Sequence, residues 1–305
     1  MTSRRHPNVS IIGAGRVGAS LAMALHAAGY PVVSVISRSG AQAIAVAKSV
    51  KCRKASTRME DIDPSSEMIL ITVPDDAVSG VAKGLANVKR LRFRNVFIAH
   101  TSGVLSSAIL APLRKRGALV ASVHPVQTFP EGRKRTKLEG ICFGVDGETN
   151  AVTRAEKLIH DLGSRMVVVP ESLKPLYHIA CVFSSGYLIV VLNAIQKLSG
   201  KLQLKASWTE VFGPLLTGAM KNTIEHSAAA SLTGPVMRKD LKTIGLHFES
   251  LANHAPEFIP FYLVAGIEVA RVAHEDHKLN DEEYRSVVDH FKKLLTSINT
   301  TKGKK

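Results

Sequence analysis

Asn8-Val9-Ser10-Ile11-Ile12-Gly13-Ala14-Gly15-Arg16-Val17-Gly18 is a short apolar strand that runs directly into a Gly-x-Gly-x-x-Gly turn. Followed by a helix, such a turn serves a bound dinucleotide. Gly13 permits the tight turn, Gly15 lets the backbone approach a pyrophosphate, and Gly18 lets the helix pack closely on the sheet. Free N–H groups and the dipole at the helix start then face the phosphates. Ala14, Arg16 and Val17 fill the remaining positions of this candidate cofactor loop.

The flanks give the turn its weight. Residues 19–28 are Ala-rich and helical by propensity, and Gly29 sits where a C-terminal glycine cap is expected. Val32-Val33-Ser34-Val35-Ile36 then reads as a second parallel strand. The plain alternative, a glycine turn that binds nothing, fits this strand-helix-strand context less well. An acidic residue at the end of the second strand would select NAD, whereas an Arg accommodates the 2′-phosphate of NADP. Here stand Ser37-Arg38-Ser39. The expected cofactor is NADP (NADPH), gripped by Arg38 with hydroxyl support from Ser37 and Ser39; an ordinary solvated Arg is the alternative.

With 305 residues, 45% of them hydrophobic, the chain is expected to fold as two domains. Cys52, Cys142 and Cys181 are widely spaced and odd in number, which suits a reducing, cytoplasmic setting, and none has a metal-ligand spacing, so no metal is expected. The N-terminal Met-Thr-Ser-Arg-Arg-His-Pro leads into the first strand and is not read as a signal peptide. The net charge of +15 is scattered over basic loops at 51–54, 89–94, 114–116, 133–135 and 302–305. No nucleic-acid signature accompanies it, so no nucleic-acid partner is expected and the loops are read as solvated. Residues 179–195 are apolar but short for a membrane span and interrupted by Ser184, Ser185, Gly186 and Asn193. They read as a helix buried in a domain or a dimer interface.

Further strand candidates at 68–74, 96–100, 119–123, 141–145 and 165–169 alternate with helices at 41–50, 76–85, 108–116 and 150–162. This is the pattern of an α/β doubly wound sheet, whose ligands lie at the carboxyl ends of the strands. Beyond residue 172 only helical signals remain, at 173–199, 208–229, 237–253, 256–274 and 281–299. The boundary falls near Pro170, giving a dinucleotide-binding domain over 1–170 and a helical substrate or dimerisation domain over 171–305.

Hydride chemistry needs a group that moves a proton. Lys174 and His178, spaced i, i+4, share one helix face beside the expected junction. Either they act as a proton donor with its orienting imidazole, or they are a solvated lysine and a satisfied core histidine. His100-Thr101-Ser102-Gly103 and His124-Pro125-Val126-Gln127-Thr128-Phe129 close two strands where ligands bind, so Thr101, Ser102 and His124 are candidates, against a reading in which they only satisfy backbone. Val73-Pro74-Asp75-Asp76 either meets the nicotinamide ribose or caps the next helix. Thr233-Gly234-Pro235 with Arg238 and Asp240 reads as a turn with a paired charge.

These motifs, together with Lys174-Pro175-Leu176-Tyr177-His178 and Leu232-Thr233-Gly234-Pro235, resemble the Rossmann-like proteins with a C-terminal helical domain of unknown function, labelled NADP-dependent oxidoreductases. That family is similar in design to 6-phosphogluconate dehydrogenase, the β-hydroxyacid dehydrogenases, ketopantoate reductase and prephenate dehydrogenase, whose helical domains commonly build a dimer. The resemblance covers nearly the whole chain and implies a Rossmann fold, a nicotinamide cofactor and a homodimer. Two of these enzyme types carry a catalytic Lys followed four residues later by Asn; Lys174 matches, and His178 stands in the Asn position. The expected function is NADP-dependent hydride transfer to or from a small oxo, hydroxy or imino acid at the domain interface. Lys174 would exchange the proton, His178 would orient it, and His124 and Ser102 would position substrate. The alternative is a non-catalytic NADP(H)-binding sensor or assembly protein.

Overall fold

The tight turn off the first strand exists because Gly13 holds φ at +107°, a region closed to most side chains. In the computed structural model, which describes residues 5–131 and 136–302, this turn joins β1 (Val9–Ile12) to α1 (Arg16–Ala27). The basic loop at 133–135, the first four residues and the tail beyond 302 lie outside the described residues. The chain divides into two compact units, Met1–Tyr187 and Leu188–Lys305. The division falls later than the expected boundary near Pro170, because the helix that begins at Lys174 sends that side chain into the first unit.

In the first unit the chain continues through β2 (Val32–Ile36), α2 (Gly40–Ser49), β3 (Ala55–Ser56), β4 (Met68–Ile71), α3 (Asp75–Ala86), β5 (Phe97–His100), α4 (Ala111–Arg114), β6 (Leu119–Pro125), β7 (Cys142–Gly147), α5 (Thr149–Asp161), β8 (Arg165–Val168) and α6 (Lys174–Val182). One eight-stranded sheet results, in the order β3-β2-β1-β4-β5-β6-β7-β8. All neighbours are parallel except β6 and β7. β1 and β4 are buried at every position, as strands covered on both faces must be. Ile11 packs with Leu21, Leu25 and Val46 on one face, while Ile12 packs with Val78, Leu85 and Leu113 on the other. Each such aliphatic side chain contributes about 1.5–3 kcal/mol on burial.

Three features depart from the expected alternation. β3 is two residues long, too short for any period to show. β7 runs antiparallel to β6: among the described residues no crossover helix separates them, and parallel neighbours need one. The expected helix at 108–116 is a 3₁₀ turn followed by the short α4. Several basic residues read as solvated prove to be tethers: Arg90 donates to the Glu60 and Ile62 carbonyls, and Arg116 donates to the Ala86 carbonyl while lying over the Phe93 ring.

The second unit is helical: α7 (Leu188–Lys201), α8 (Trp208–Glu225), α9 (Ala228–Ser231), α10 (Leu241–His254), α11 (Ile259–Glu275) and α12 (Asp281–Lys302). Its core gathers Ile244, Leu263, Ala270, Val287 and Phe291. Gly266 admits the Phe291 ring, which a methyl there would meet at 2.3 Å. α8 buries none of its residues, leaving Leu215 71% and Ile224 80% exposed. Nor is the apolar stretch at 179–195 buried in a domain. It belongs to a helical run, Glu171–Lys201, that is long and apolar enough to cross a membrane by length and composition, with only 6% of its apolar window buried.

Candidate cofactor cleft and polar pocket

The carboxyl edge of the sheet sets one row of residues across five strands: Ile12, Ile71, His100, Ser122 and Asp146 stand opposite one another in register. Two cavities open along this edge. The first, about 370 Å³, lies over β1, β2 and β4. Gly13, Ala14, Gly15, Ser37, Arg38, Ser39, Val73 and Pro74 all line it. Arg16 lines the adjoining cavity instead. Val17 packs into the core, and Gly18 lies so close to the strand that a methyl there would sit 1.9 Å from the Gly13 carbonyl oxygen.

The cleft suits a dinucleotide in three respects. Gly15 caps α1 without any side-chain partner, and the first turn has no acidic residue, so its N–H groups are open to phosphate. Among the described residues, none places an atom within 4 Å of a methyl on Gly15. Among the described residues no carboxylate lines the cavity. Ser39 accepts from the Gln42 N–H as the cap of α2, which leaves its hydroxyl proton for a ligand, and Arg38 is exposed at the mouth. Sequence reasoning missed Thr72, whose hydroxyl donates to the Gly13 carbonyl at 2.6 Å and locks the turn. It follows β4 directly, beside Gly13 in the parallel register, so knowledge of strand order would have found it.

Asp75, Thr101 and Ser102 line neither cavity described here. Asp75 opens α3 and is exposed. Ser102 is turned inward: its hydroxyl accepts from the Leu105 N–H, and its N–H donates to His100 Nδ1. His100, fully buried, donates from Nε2 to the Ser106 carbonyl, and burial lowers its pKa. It is a satisfied core histidine that pins the loop after β5.

The second cavity, about 300 Å³, is lined by His124, Gln127, Thr128, His178 and Cys181, among others. His124 and His178 meet edge to face, with ring centres 6.0 Å apart, over Gly103. His124 Nδ1 is 2.8 Å from the Tyr177 hydroxyl, and that phenol crosses Gly144, where a methyl would lie 2.3 Å away. Burial, helped by Lys174, His178 and His100, lowers the pKa of His124 to about 4.

Lys174 does not face this pocket as expected. It is fully buried beneath it, donating to Ser122 Oγ at 2.7 Å and lying 3.7 Å from Asp146 Oδ2. Ser122 passes its own proton to the Ser102 carbonyl, and Asp146 Oδ1 accepts from the Ser107 N–H. Burial lowers the ammonium pKa, and Asp146 opposes that shift. A lysine at the first turn of a helix reads as exposed; it is buried because β7 reverses direction and brings Asp146 opposite Ser122.

An imidazole neutral when folded but protonated when unfolded makes the folded state lose stability as pH falls from about 6.5 towards about 4. His124→Gln is expected to abolish about 2 kcal/mol of the loss that the native protein suffers between pH 7.5 and pH 5. Urea unfolding at both pH values checks this, and an unchanged pH dependence would refute it.

Comparison with known proteins agrees with the architecture. Residues 2–125 match the Rossmann-like domain family, and residues 141–268 match DUF2520, a domain of unknown function. No curated protein matches the chain. A Bacteroides fragilis protein provisionally named an NADP oxidoreductase superposes with a TM-score of 0.72 at 22% identity, covering 87% of this chain and 98% of that one. A Thermotoga maritima protein gives 0.65 at 23% identity, covering 88% and 99%. An imine reductase from Streptomyces aurantiacus gives 0.58 at 15% identity, covering 94% and 93%. At these identities the likeness is one of fold. The chain thus joins a Rossmann-like domain to a domain of the DUF2520 type.

Proposed function

We propose that this protein is an NADP-dependent oxidoreductase that acts on a small oxo, hydroxy or imino acid, working as a homodimer. The observation that carries the reading is a cleft with no carboxylate among its described lining residues, with Arg38 at its mouth and an uncapped helix start at its base. An NAD site of this type would offer a carboxylate to the ribose, and this one offers a guanidinium and two hydroxyls. The names given to the Bacteroides fragilis and Streptomyces aurantiacus neighbours point the same way. The exposed apolar faces of α8 and of the run Glu171–Lys201 support the dimer.

When bound, the nicotinamide supplies or accepts the hydride. Gly13 to Gly15 and α1 would hold the pyrophosphate, and Arg38 with Ser37 and Ser39 the 2′-phosphate. Reduction of a carbonyl also consumes one proton. His178, half-buried on the pocket wall, carries that proton, since an imidazole offers a ligand both a donor and an acceptor nitrogen. Lys174 holds Ser122 and Asp146 beneath the pocket and acts as a positioning residue. A non-catalytic sensor would fit best if Lys174 and His178 were both packed away; only Lys174 is.

Titration with NADPH and NADH, followed by cofactor fluorescence on material sized by sedimentation, tests the reading. NADPH is expected to bind the dimer tightly, and Arg38→Ala to weaken it about 10- to 100-fold while NADH binding changes little, the loss of one bidentate phosphate contact. Equal loss for both nucleotides would remove the NADP preference, and binding of neither would remove the oxidoreductase reading.

A further inference from the structure

We infer that the amino edge of the sheet, opposite the two cavities, is a docking surface for the phosphate backbone of double-stranded nucleic acid, formed by Lys83, Lys89, Arg92, Arg94 and Lys115. The inference goes beyond the oxidoreductase reading and does not rest on it.

Read along the chain, the basic charge is scattered over loops and names no partner; the fold gathers two of those loops into one surface. Between Asp76 and Glu131 the chain has no acidic residue. Lys83 stands in the last turn of α3, residues 87–95 lead into the amino end of β5, and residues 114–118 lead into that of β6. The two loops are tied backbone to backbone. The Asn95 N–H donates to the Gly117 carbonyl at 3.0 Å, and a methyl on Gly117 would lie 3.3 Å from Arg94 Cα. Arg116 reinforces the tie by donating to the Leu91 carbonyl at 3.2 Å. Leu91 and Phe93 are buried, and their burial holds the flanking Arg92 and Arg94 at the surface.

The charge of this surface is uncompensated. Among the described residues, Lys83, Lys89, Arg92, Arg94 and Lys115 are exposed and have no ion-pair partner. Arg90 and Arg116 strengthen the field, because each spends its donors on main-chain carbonyls, which leave its charge in place. The carboxylates at the rim are engaged elsewhere: Glu148 pairs with Arg114 at 3.1 Å, Glu60 with Arg58 at 3.8 Å, and Asp61 accepts from the Ser56 hydroxyl. The apolar side chains select the partner. None of the exposed large hydrophobic residues of the described chain lies between Ile44 and Val126. A protein partner needs an apolar centre, and a membrane-docking face inserts apolar side chains. A phosphate backbone needs neither, and its interfaces are the polar, strongly positive ones. Phe93 lies buried beneath Arg116 and offers no platform for unstacked bases, so the surface fits a duplex rather than a single strand. Arg92 and Arg94 can each grip a phosphate bidentately.

The test follows binding of the full chain to a fluorescein-labelled DNA duplex of about 30 base pairs by anisotropy, between about 50 and about 200 mM salt. With about five phosphates contacted, the affinity is expected to fall by about two to three orders of magnitude over that range. The triple variant Arg92→Ala, Arg94→Ala, Lys115→Ala is expected to bind about tenfold or more weakly at about 100 mM salt, with a salt slope shallower by about two to three. Its urea unfolding and its NADPH titration are expected to match those of the native chain. Lys197→Ala, Lys205→Ala, Lys242→Ala removes the same charge from the second unit and is expected to change duplex binding by less than about threefold, since charges that touch no phosphate are screened. No duplex binding at about 50 mM salt, an equal loss in both triple variants, or tighter binding to phosphatidylserine vesicles than to the duplex would each overturn the inference. If the first triple variant fails to fold, Arg92→Ala and Lys115→Ala decide singly, each expected to lower the salt slope by about one. A protein that binds the duplex but ignores NADPH would lose the oxidoreductase reading and keep this surface; one that binds NADPH but not the duplex would do the reverse.

Discussion

Gly18→Ala is expected to abolish NADPH binding and to destabilise the first unit by about 3 kcal/mol or more, whereas Gly15→Ala abolishes binding and leaves stability nearly unchanged. The two glycines differ in what an added methyl meets. At Gly18 it would lie 1.9 Å from the Gly13 carbonyl oxygen and 2.5 Å from Thr72 Oγ1, which are themselves hydrogen-bonded. Neither atom can retreat without breaking the lock between β1 and β4, so α1 must lift from the sheet. At Gly15 no described residue places an atom within 4 Å, and φ is −74°, a value any residue accepts. The methyl there intrudes only on the space of a pyrophosphate. Urea unfolding and NADPH titration on both variants separate the cases. Gly15→Ala protein that binds NADPH as well as the native chain would refute the cradle.

Lys174→Ala is expected to cost about 3–5 kcal/mol in urea unfolding at pH 7, the largest loss from any side-chain truncation in the site. Removing the ammonium leaves Asp146, 4% exposed, without its charge partner and strips Ser122 of its donor. Lys174→Met restores volume but not charge, so it is expected to recover only part of the loss. Pairing it with Asp146→Asn is expected to recover more, because the stranded carboxylate is then gone. A loss below about 1 kcal/mol in Lys174→Ala, the range of exposed pairs, would show that the buried network carries no weight. Lost turnover in Lys174→Ala alone would therefore not identify a proton donor; His178→Gln, at a half-buried position on the pocket wall, is the more informative change.

The amino-acid sequence by itself determined the glycine turn, the flanking strands and helices, the break from alternating elements to helices alone, and the guanidinium at the end of β2. These are local matters: apolar periodicity, propensity and turn chemistry act over a few residues, and Gly13, Gly15 and Arg38 stand at fixed distances from one strand end. Only the tertiary structure decided the polar pocket. His124, Tyr177, Gly103 and Gly144 come from the end of β6, a helix, the loop after β5 and the middle of β7, and no spacing in the chain brings them together. Lys174 and His178 share a helix face in sequence, yet one is buried under the pocket and the other lines it, because the antiparallel turn of β7 sets Asp146 opposite Ser122 and draws the ammonium inward. Strand direction is a non-local property, settled by which edge a segment joins and by what connects it, and here it decides which charges are buried and which meet a ligand.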